Sequence, residues 1–285
     1  DICLILPIFA SARENSSQFK VDSKDIIKNK KNLYYVESNV QLINQLYKII
    51  KTGDVIFTMG AGDVYKLKSE LIKIINNKLQ IEKDKNLIQF NTFKIKSVAE
   101  YFLEAKTRKD LIEGKKFASE NNLSLFILAG GSNLAIVKEK ISGLVVKNNY
   151  KELKIVRETE KDVLLSVSSG YPVSLLVNET VNKGYEGFEY HKGLPGTVGG
   201  AIYMNSKWTK PERYFGENLE YAYLVNDPAF AKASAGKRLQ DRKVDKKYFQ
   251  FGYDYSILQK TKEVLLEAIF RLKKTDPKIL EKRSE

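Results

Sequence analysis

Two glycine-rich segments have the composition of a binding site for a phosphate group. The first is AGGSNL over Ala129–Leu134, directly after an apolar run typical of a strand, and the second is GLPGTVGGAIYMN over Gly193–Asn205. Adjacent glycines let the backbone approach a ligand closely, and their N–H groups can form an anion-binding nest. In the first segment, Ser132 and Asn133 add side-chain donors, although an ordinary hairpin or bulge explains these six residues equally well.

The second segment is the more informative one. Its four glycines, one proline and one threonine come before AIYM at Ala201–Met204, which predicts a short helix. The amino end of that helix would offer free N–H groups and the positive end of a dipole to a phosphate. Packing alone is a strained explanation for so many glycines in so short a stretch.

Composition favours an anionic partner but does not identify it. The chain has 48 Lys and Arg against 35 Asp and Glu, which gives a net charge of +13. Nucleic acid, a phosphorylated metabolite and a nucleotide-sugar all fit this charge, and a lysine-rich coding bias would produce it without any function. One Cys and one His exclude a disulfide framework, a Cys-based zinc site and most His-rich metal sites, so no metal is expected.

No segment of the sequence has the pattern of a membrane span. The longest apolar run, Ile2–Phe9, is far too short to cross a bilayer. It is also a poor signal peptide, because no basic residue precedes it. We therefore expect a cytoplasmic protein without a membrane partner.

Residues 1–75 alternate between strand and helix patterns, which predicts an open α/β sheet. Gly60–Asp63 starts like a dinucleotide fingerprint, but Tyr65 stands where the third glycine belongs, so a tight turn is the better interpretation. Cys3 lies in the first strand, where burial would make it inert. The predicted strands are Asp1–Phe9, Leu33–Val36 and Val55–Met59, and the predicted helices are Lys24–Lys31, Val40–Lys51 and Val64–Ile75.

A second pattern follows a polar, Lys-rich joint at Asn76–Asn86, and we place a linker at 76–88. The low-complexity run Pro228–Lys237 is interpreted as an inserted surface loop. Because the chain starts in a predicted core strand and stops where a helix has just begun, we expect it to be a piece of a longer protein. The further predicted strands are Glu100–Glu104, Leu125–Leu128, Gly143–Lys147, Leu153–Val156, Val163–Val167, Leu219–Val225 and Val264–Leu272, and the further helices are Arg108–Asn121, Pro172–Lys183 and Pro277–Glu285.

Together the two glycine segments closely resemble the UDP-N-acetylenolpyruvoylglucosamine reductases (MurB). The resemblance covers about Gln89–Lys274 and includes NTFKI at Asn91–Ile95 and FGYDYSI at Phe251–Ile257. It implies an α+β FAD-binding unit of two subdomains (PCMH/MurB type) at 89–285. By position, noncovalent FAD would contact Gly130, Gly131, Ser132, Asn133, Leu134, Gly193, Gly196, Thr197, Val198, Gly199 and Gly200.

The resemblance also implies an activity, a substrate and an electron donor. In that family NADPH reduces FAD, and hydride then passes to the enolpyruvyl group of a UDP-sugar to form UDP-N-acetylmuramate, a peptidoglycan precursor. His191 lies two residues before Gly193, but the family holds FAD without a covalent bond, so we interpret His191 as a packing or locally hydrogen-bonded residue. The oligomeric state is not predicted.

Three candidate catalytic residues follow from FGYDYSI: Tyr253, Asp254 and Ser256. Tyr253 and Ser256 match the family, whereas Asp254 stands where the family usually has an arginine that stabilises the substrate carboxylate and enolate. A carboxylate cannot supply that positive charge. The family's third domain, with its catalytic serine and a glutamate, would begin after Glu285, so activity of this chain is left open.

The first part of the chain resembles another cell-wall enzyme. DVIFTMGAGDVYKL at Asp54–Leu67, with LPIFASARE at Leu6–Glu14 and YVE at Tyr35–Glu37, resembles the C-terminal domain of UDP-N-acetylmuramate–L-alanine ligases (MurC). This implies a Rossmann-like domain at 1–75. The ATP-binding pattern GxxxxGK[ST] does not occur in the sequence, so no ligation is expected from this chain alone.

Three hypotheses therefore remain. The first is a truncated MurC–MurB fusion that retains a FAD-dependent reductase. The second is a non-catalytic FAD- or UDP-sugar-binding fragment, and the third is a basic nucleic-acid-binding protein. The third has charge in its favour, but the sequence carries no aromatic–basic RNA motif and no helix-turn-helix signature, so we expect no nucleic-acid partner.

Overall fold

A computed structural model describes residues 1–8, 22–28, 30–50, 54–60, 67, 71, 79–226 and 241–284. The chain divides into two compact units, Asp1–Gln80 and Ile81–Glu285. Three predicted features lie wholly or mostly outside the described residues: the turn at Gly60–Asp63, the helix at Val64–Ile75 and the low-complexity loop at Pro228–Lys237.

In the N-terminal unit, β1 (Cys3–Ile5) and β2 (Leu33–Tyr35) pair in parallel, as the α/β prediction requires. Parallel strands need a crossover connection, and α1 (Ser23–Ile27) lies in it. After β2, Ser38 caps α2 (Asn39–Ile49) by accepting a hydrogen bond from the Gln41 N–H. Buried apolar side chains hold these elements together, namely Val36, Leu42, Leu67 and Leu71.

Two predictions for this unit are wrong. The segment Val55–Met59 forms no strand within the described residues 54–60: only Ile56 packs against the apolar cluster, while Val55, Phe57 and Met59 are 75%, 82% and 87% exposed. Cys3 is exposed rather than buried, so burial does not make it inert.

Within the described residues, the C-terminal unit contains a four-stranded sheet, a six-stranded sheet, the two-stranded pair β10–β11 and the remaining helices. Its strands are β3 (Ile81–Asn86), β4 (Val98–Ala105), β5 (Leu125–Leu128), β6 (Lys140–Asn148), β7 (Leu153–Glu158), β8 (Asp162–Ser168), β9 (Tyr185–Glu186), β10 (Lys207–Thr209), β11 (Glu212–Tyr214), β12 (Leu219–Val225), β13 (Asp241–Asp245) and β14 (Val264–Lys274). Its helices are α3 (Arg108–Glu120), α4 (Val173–Asn182), α5 (Val198–Met204), α6 (Leu258–Thr261) and α7 (Pro277–Ser284).

The first sheet has the order β3-β4-β6-β5, with β4, β5 and β6 parallel and β3 antiparallel to β4. Helix α3 connects β4 to β5. A capping box of Thr107 and Asp110 starts this helix, and Leu111 lies on its buried face. A Cβ on Gly114 would come within 2.7 Å of Leu103 Cδ2, so the helix lies close to β4.

The structure corrects the predicted linker at 76–88, because Ile81–Asn86 forms strand β3 within the C-terminal unit. The polar, Lys-rich composition of this segment predicts a linker. An edge strand needs little apolar surface, and charged side chains there also discourage pairing with other chains. Lys83 and Lys85 lie over the rings of Tyr101 and Phe102, at 5.5 and 5.6 Å from the ring centroids.

The second sheet is antiparallel, with the order β13-β12-β14-β8-β7 and with β9 also paired to β14. The predicted hairpin is β7–β8. Strand β14 lies in the middle of the sheet and is buried over most of its length. Helices α4 and α5 pack on this sheet through side chains such as Leu176, Val198 and Ile202, all fully buried.

Polar contacts connect the two sheets of this unit. The side chain of Asn148, at the end of β6, donates to Ser169 Oγ after β8, at 2.8 Å between buried atoms. Arg108 at the start of α3 contacts Glu267 of β14 at 3.0 Å, and the Tyr150 hydroxyl donates to the same carboxylate at 2.7 Å. Charge-assisted contacts of this kind fix the relative orientation of the two sheets.

His191 is a packing residue, as predicted. Its side chain is 1% exposed and lies 5.3 Å from the ring of Phe215 and 6.4 Å from that of Phe188. Its Nδ1 atom has no hydrogen-bond partner within the described part of the chain. Burial lowers the pKa of His191 to about 4, so the imidazole is neutral in the folded protein at neutral pH.

His191 should make the fold sensitive to acid. An unfolded histidine has a pKa of about 6.5, so between that value and a folded pKa of about 4 only the unfolded chain takes up the proton. The free energy of unfolding should therefore fall with pH across this window, by about 3 kcal/mol from this group. Urea unfolding at pH 7 and pH 4.5 would measure the loss.

The His191→Leu variant serves as the comparison, because it keeps an apolar side chain of similar volume without a titrating group. Carboxylates contribute equally to the pH dependence of both proteins. On acidification, the free energy of unfolding of the variant should therefore fall by about 2–3 kcal/mol less than that of the wild type. An identical loss in both proteins would contradict the role assigned to His191.

Candidate functional site

The structure brings the two glycine segments into backbone contact. A Cβ on Gly130 would lie 2.8 Å from the Cα of Gly196, so a side chain at position 130 would push the segments apart. Gly196 has φ +104°, which favours glycine, and a Cβ there would lie 3.4 Å from Ser132 Oγ. The two segments, distant in sequence, therefore form one site.

The first glycine turn is fastened to the segment before β4. Gly131 has φ +71°, and its carbonyl accepts hydrogen bonds from Thr92 N at 3.3 Å and Thr92 Oγ1 at 3.2 Å. The buried side chain of Asn91 bonds to the Leu87 carbonyl and to both backbone groups of Ile95. Asn91 and Thr92 thus position the turn, a role that their place in the NTFKI run alone did not reveal.

The first turn keeps its backbone donors free. Among the residues that the structure describes, no acceptor takes a hydrogen bond from the N–H groups of Gly130, Gly131, Ser132 or Asn133. The side chains of Ser132 and Asn133 also make no hydrogen bond there, and Gly130 and Asn133 are exposed. Consecutive free N–H groups form a concave donor set that suits an anion.

The second segment does not offer the free N–H groups predicted at the start of α5. The N–H of Val198 donates to Tyr171 O at 2.9 Å, that of Gly199 to Ser169 O at 2.7 Å, and that of Gly200 to Thr197 Oγ1 at 3.4 Å. The connection after β8 runs beside the helix and takes these donors. That prediction is wrong, and packing, which we considered strained, explains Gly199.

The other predicted cofactor residues fall into two groups. Thr197 caps α5, Val198 is fully buried in the core, and Leu134 packs against the apolar cluster under the first sheet. Gly193 has φ +84° with open space around it, and a Cβ on Gly200 would make an ordinary contact of 3.6 Å with Ala129 Cβ. Most of the second segment is therefore engaged in contacts within the protein, while the N–H groups of the first turn have no acceptor among the described residues.

The three candidate catalytic residues occupy different environments. Tyr253 is 68% exposed and lies on a cavity of about 340 Å³. Ser256 is fully buried, and its hydroxyl donates to Tyr203 O of α5 at 2.8 Å. Asp254 has φ +49°, and its carbonyl accepts from Gln259 Nε2 at 2.9 Å. The cavity is also lined by Asn205, Tyr214, Glu217, Lys246 and Phe251.

Of the three, only Tyr253 lines this cavity: Asp254 is exposed outside the lining, and Ser256 is buried against α5. Two cations lie nearby: Lys246 lines the cavity, and Lys207 Nζ lies 4.6 Å from the centroid of the Tyr253 ring. Asp254 is thus not the group that faces the cavity at the family's arginine position.

Two searches of the described residues bear on other site types. No three or more His, Cys, Asp or Glu side chains lie together in a geometry that could hold a metal ion. Within the same part of the chain, no helix has the length and apolarity needed to cross a membrane.

Residues 99–228 match the family model of the FAD binding domain. The chain is 32% identical over 186 residues to the UDP-N-acetylenolpyruvoylglucosamine reductase of Protochlamydia amoebophila (65% of this chain, 57% of that protein), and 29% identical over 189 residues to that of Chlamydia felis (66% and 58%). It thus spans under three fifths of the length of these relatives.

A solved structure shows the same fold. The UDP-N-acetylenolpyruvylglucosamine reductase (MurB) from Thermus caldophilus superimposes with a TM-score of 0.56 at 20% identity, covering 73% of this chain and 66% of that one. The predicted two-subdomain FAD-binding fold is confirmed. Residues 99–228 thus match a FAD-binding domain, and the chain has relatives among the UDP-N-acetylenolpyruvoylglucosamine reductases.

Neighbouring glycines of α5 should respond differently to alanine. A Cβ on Gly199 would lie 2.8 Å from Ser169 O, a backbone atom, whereas one on Gly200 has room. We expect Gly199→Ala to lower the free energy of unfolding by about 1–3 kcal/mol, and Gly200→Ala to leave it unchanged or raise it by up to about 1 kcal/mol. Urea unfolding of both variants is the measurement, and equal stabilities would contradict the assigned close contact.

Proposed function

We propose that this chain binds FAD noncovalently and that its C-terminal unit is the flavin-binding part of a UDP-N-acetylenolpyruvoylglucosamine reductase. The observation that supports the proposal is the first glycine turn, whose four consecutive N–H groups have no acceptor among the described residues and whose Gly131 carbonyl is held by Thr92. A pyrophosphate is the anionic group of FAD, and such a donor set suits it.

The residues present fit this cofactor at the first turn. Gly130, Gly131, Ser132 and Asn133 would hold the pyrophosphate through backbone donors, and the two polar side chains would add further hydrogen bonds. Val198 and Gly199 at the start of α5 would border the site rather than bind phosphate, since their N–H groups donate to Tyr171 O and Ser169 O within the protein. When bound, FAD supplies the hydride chemistry of the reaction.

The proposed reaction is the NADPH-driven reduction of the enolpyruvyl UDP-sugar to UDP-N-acetylmuramate, in the cytoplasm. Tyr253 is the residue of this chain that can contact substrate, because it lies on the cavity. Ser256 would orient the turn against α5, and Asp254 would shape the backbone between them.

The N-terminal unit is proposed to derive from the C-terminal domain of a UDP-N-acetylmuramate–L-alanine ligase, which makes the chain part of a fusion.

A second candidate is a fragment that binds FAD or a UDP-sugar without turnover. The position of Asp254 favours it, because no arginine of this turn faces the cavity. Catalysis would then need a positive group from elsewhere, since the negative charge that develops on the substrate must be stabilised.

FAD binding should depend on the side chains of the first turn. Purified chain should take up one FAD, seen by its visible absorption. The double variant Ser132→Ala/Asn133→Ala removes two donors that make no other hydrogen bond among the described residues, so we expect FAD affinity to fall at least about tenfold without a change in the melting temperature of the flavin-free chain. Fluorescence titration with FAD would measure it.

Ser142→Ala is the matched control, because Ser142 is exposed on β6, away from the turn. It should leave FAD affinity within about twofold. If the double variant binds FAD as tightly as the control does, the cofactor is not held by the first turn.

Turnover separates the two candidates. Incubation with FAD, NADPH and enolpyruvyl UDP-N-acetylglucosamine should yield UDP-N-acetylmuramate, identified by mass spectrometry, if the chain is a reductase. FAD uptake without product, at substrate concentrations that saturate related enzymes, would establish the binding fragment instead.

A further inference from the structure

Lys147 lies directly behind the first glycine turn. It is the penultimate residue of β6 and pairs across the parallel ladder with Leu128, the last residue of β5 before the turn. Its Nζ donates a hydrogen bond to the carbonyl of Ala129. This contact joins the side chain of one strand to the backbone that begins the turn.

The hydrogen bond from Lys147 to Ala129 determines the direction of the Gly130 N–H. The carbonyl of Ala129 and the N–H of Gly130 belong to one planar trans peptide unit and point in opposite directions. Because Lys147 holds the carbonyl on its own side, the Gly130 N–H is directed away from Lys147, toward the exposed face of the turn.

Lys147 forms no ion pair with a carboxylate among the described residues, and Glu104 pairs instead with Lys106 at 3.6 Å. Burial lowers the pKa of Lys147, Lys151 lowers it further, and Glu104 raises it. A half-buried cation without a counter-ion gains from an anion bound nearby.

We infer that Lys147 is a positioning residue of the anion site: its ammonium orients the Ala129–Gly130 peptide toward a diphosphate ligand and supplies positive charge from behind that peptide. The inference rests on the proposed FAD binding and adds to it a residue that lies outside both glycine segments. Lys147 acts through the peptide rather than by touching the ligand.

Replacing Lys147 by methionine keeps the length of the side chain and removes both the donor and the charge. The full chain, freed of flavin, would be titrated with FAD. We expect Lys147→Met to weaken FAD binding about 10- to 100-fold, the size of one charge-assisted contact. Lys147→Arg, which keeps the charge and the donor, should recover affinity to within about fivefold of the wild type.

Lys151→Met is the control, since Lys151 is an exposed lysine whose charge acts on Lys147 and which makes no hydrogen bond to the turn in the described part of the chain. It should change FAD affinity less than threefold, which separates the specific contact from a general loss of positive charge. Should Lys147→Met fail to fold, judged by melting of the flavin-free chain, Lys147→Gln takes its place.

The outcomes distinguish the inference from the proposed function. A wild-type chain without affinity for FAD overturns both. A wild type that binds FAD, beside Lys147→Met or Lys147→Gln variants that bind it equally well, overturns the inference alone. Equal losses in the Met and Arg variants also overturn it, because they would mean that only the packing of lysine matters.

Discussion

The close approach of Gly130 and Gly196 is the constraint on which the site depends. A Cβ on Gly130 would lie 2.8 Å from the Cα of Gly196, and Gly196 has φ +104°, so close contact favours glycine at position 130 and backbone conformation favours it at position 196. One turn follows the parallel sheet and the other precedes α5 on the antiparallel sheet. Their meeting, with the buried Asn148–Ser169 hydrogen bond, sets the position of one subdomain against the other and makes a site that neither sheet forms alone.

The two turns divide the work of the site. In the first turn, Thr92 and Lys147 hold the carbonyls of Gly131 and Ala129, and the four N–H groups from Gly130 to Asn133 have no acceptor among the described residues. In the second, the N–H groups of Val198 and Gly199 donate to the backbone after β8, which fixes the start of α5. Glycine content alone cannot tell these roles apart, because an open donor and a close backbone contact both require the missing side chain.

Local pattern predicted most of the elements that carry the site, including β5, the β7–β8 hairpin, α4 and the short helix α5. It failed where tertiary context overrides the pattern. The polar run Ile81–Asn86 is an edge strand, and backbone hydrogen bonds to β4 hold it in place rather than the burial of apolar side chains. The apolar run Val55–Met59 forms no strand in the described residues because no neighbour pairs with it. The contact from Lys147 to Ala129 depends on strand register, which composition does not reveal.

Binding and catalysis rest on different physical groups in this chain. FAD binding would depend on backbone N–H donors, which glycines in the turn and side chains that hold its carbonyls can supply. Substrate reduction would depend on charge placed at the cavity beside Tyr253, where the structure offers Lys246 and, over the tyrosine ring, Lys207. Asp254 has φ +49° and is not among the residues that line this cavity. Its carboxylate is therefore not part of the surface that a substrate anion would contact. Asp254 therefore adds no carboxylate to the cavity lining, where Glu217 lies beside Lys246.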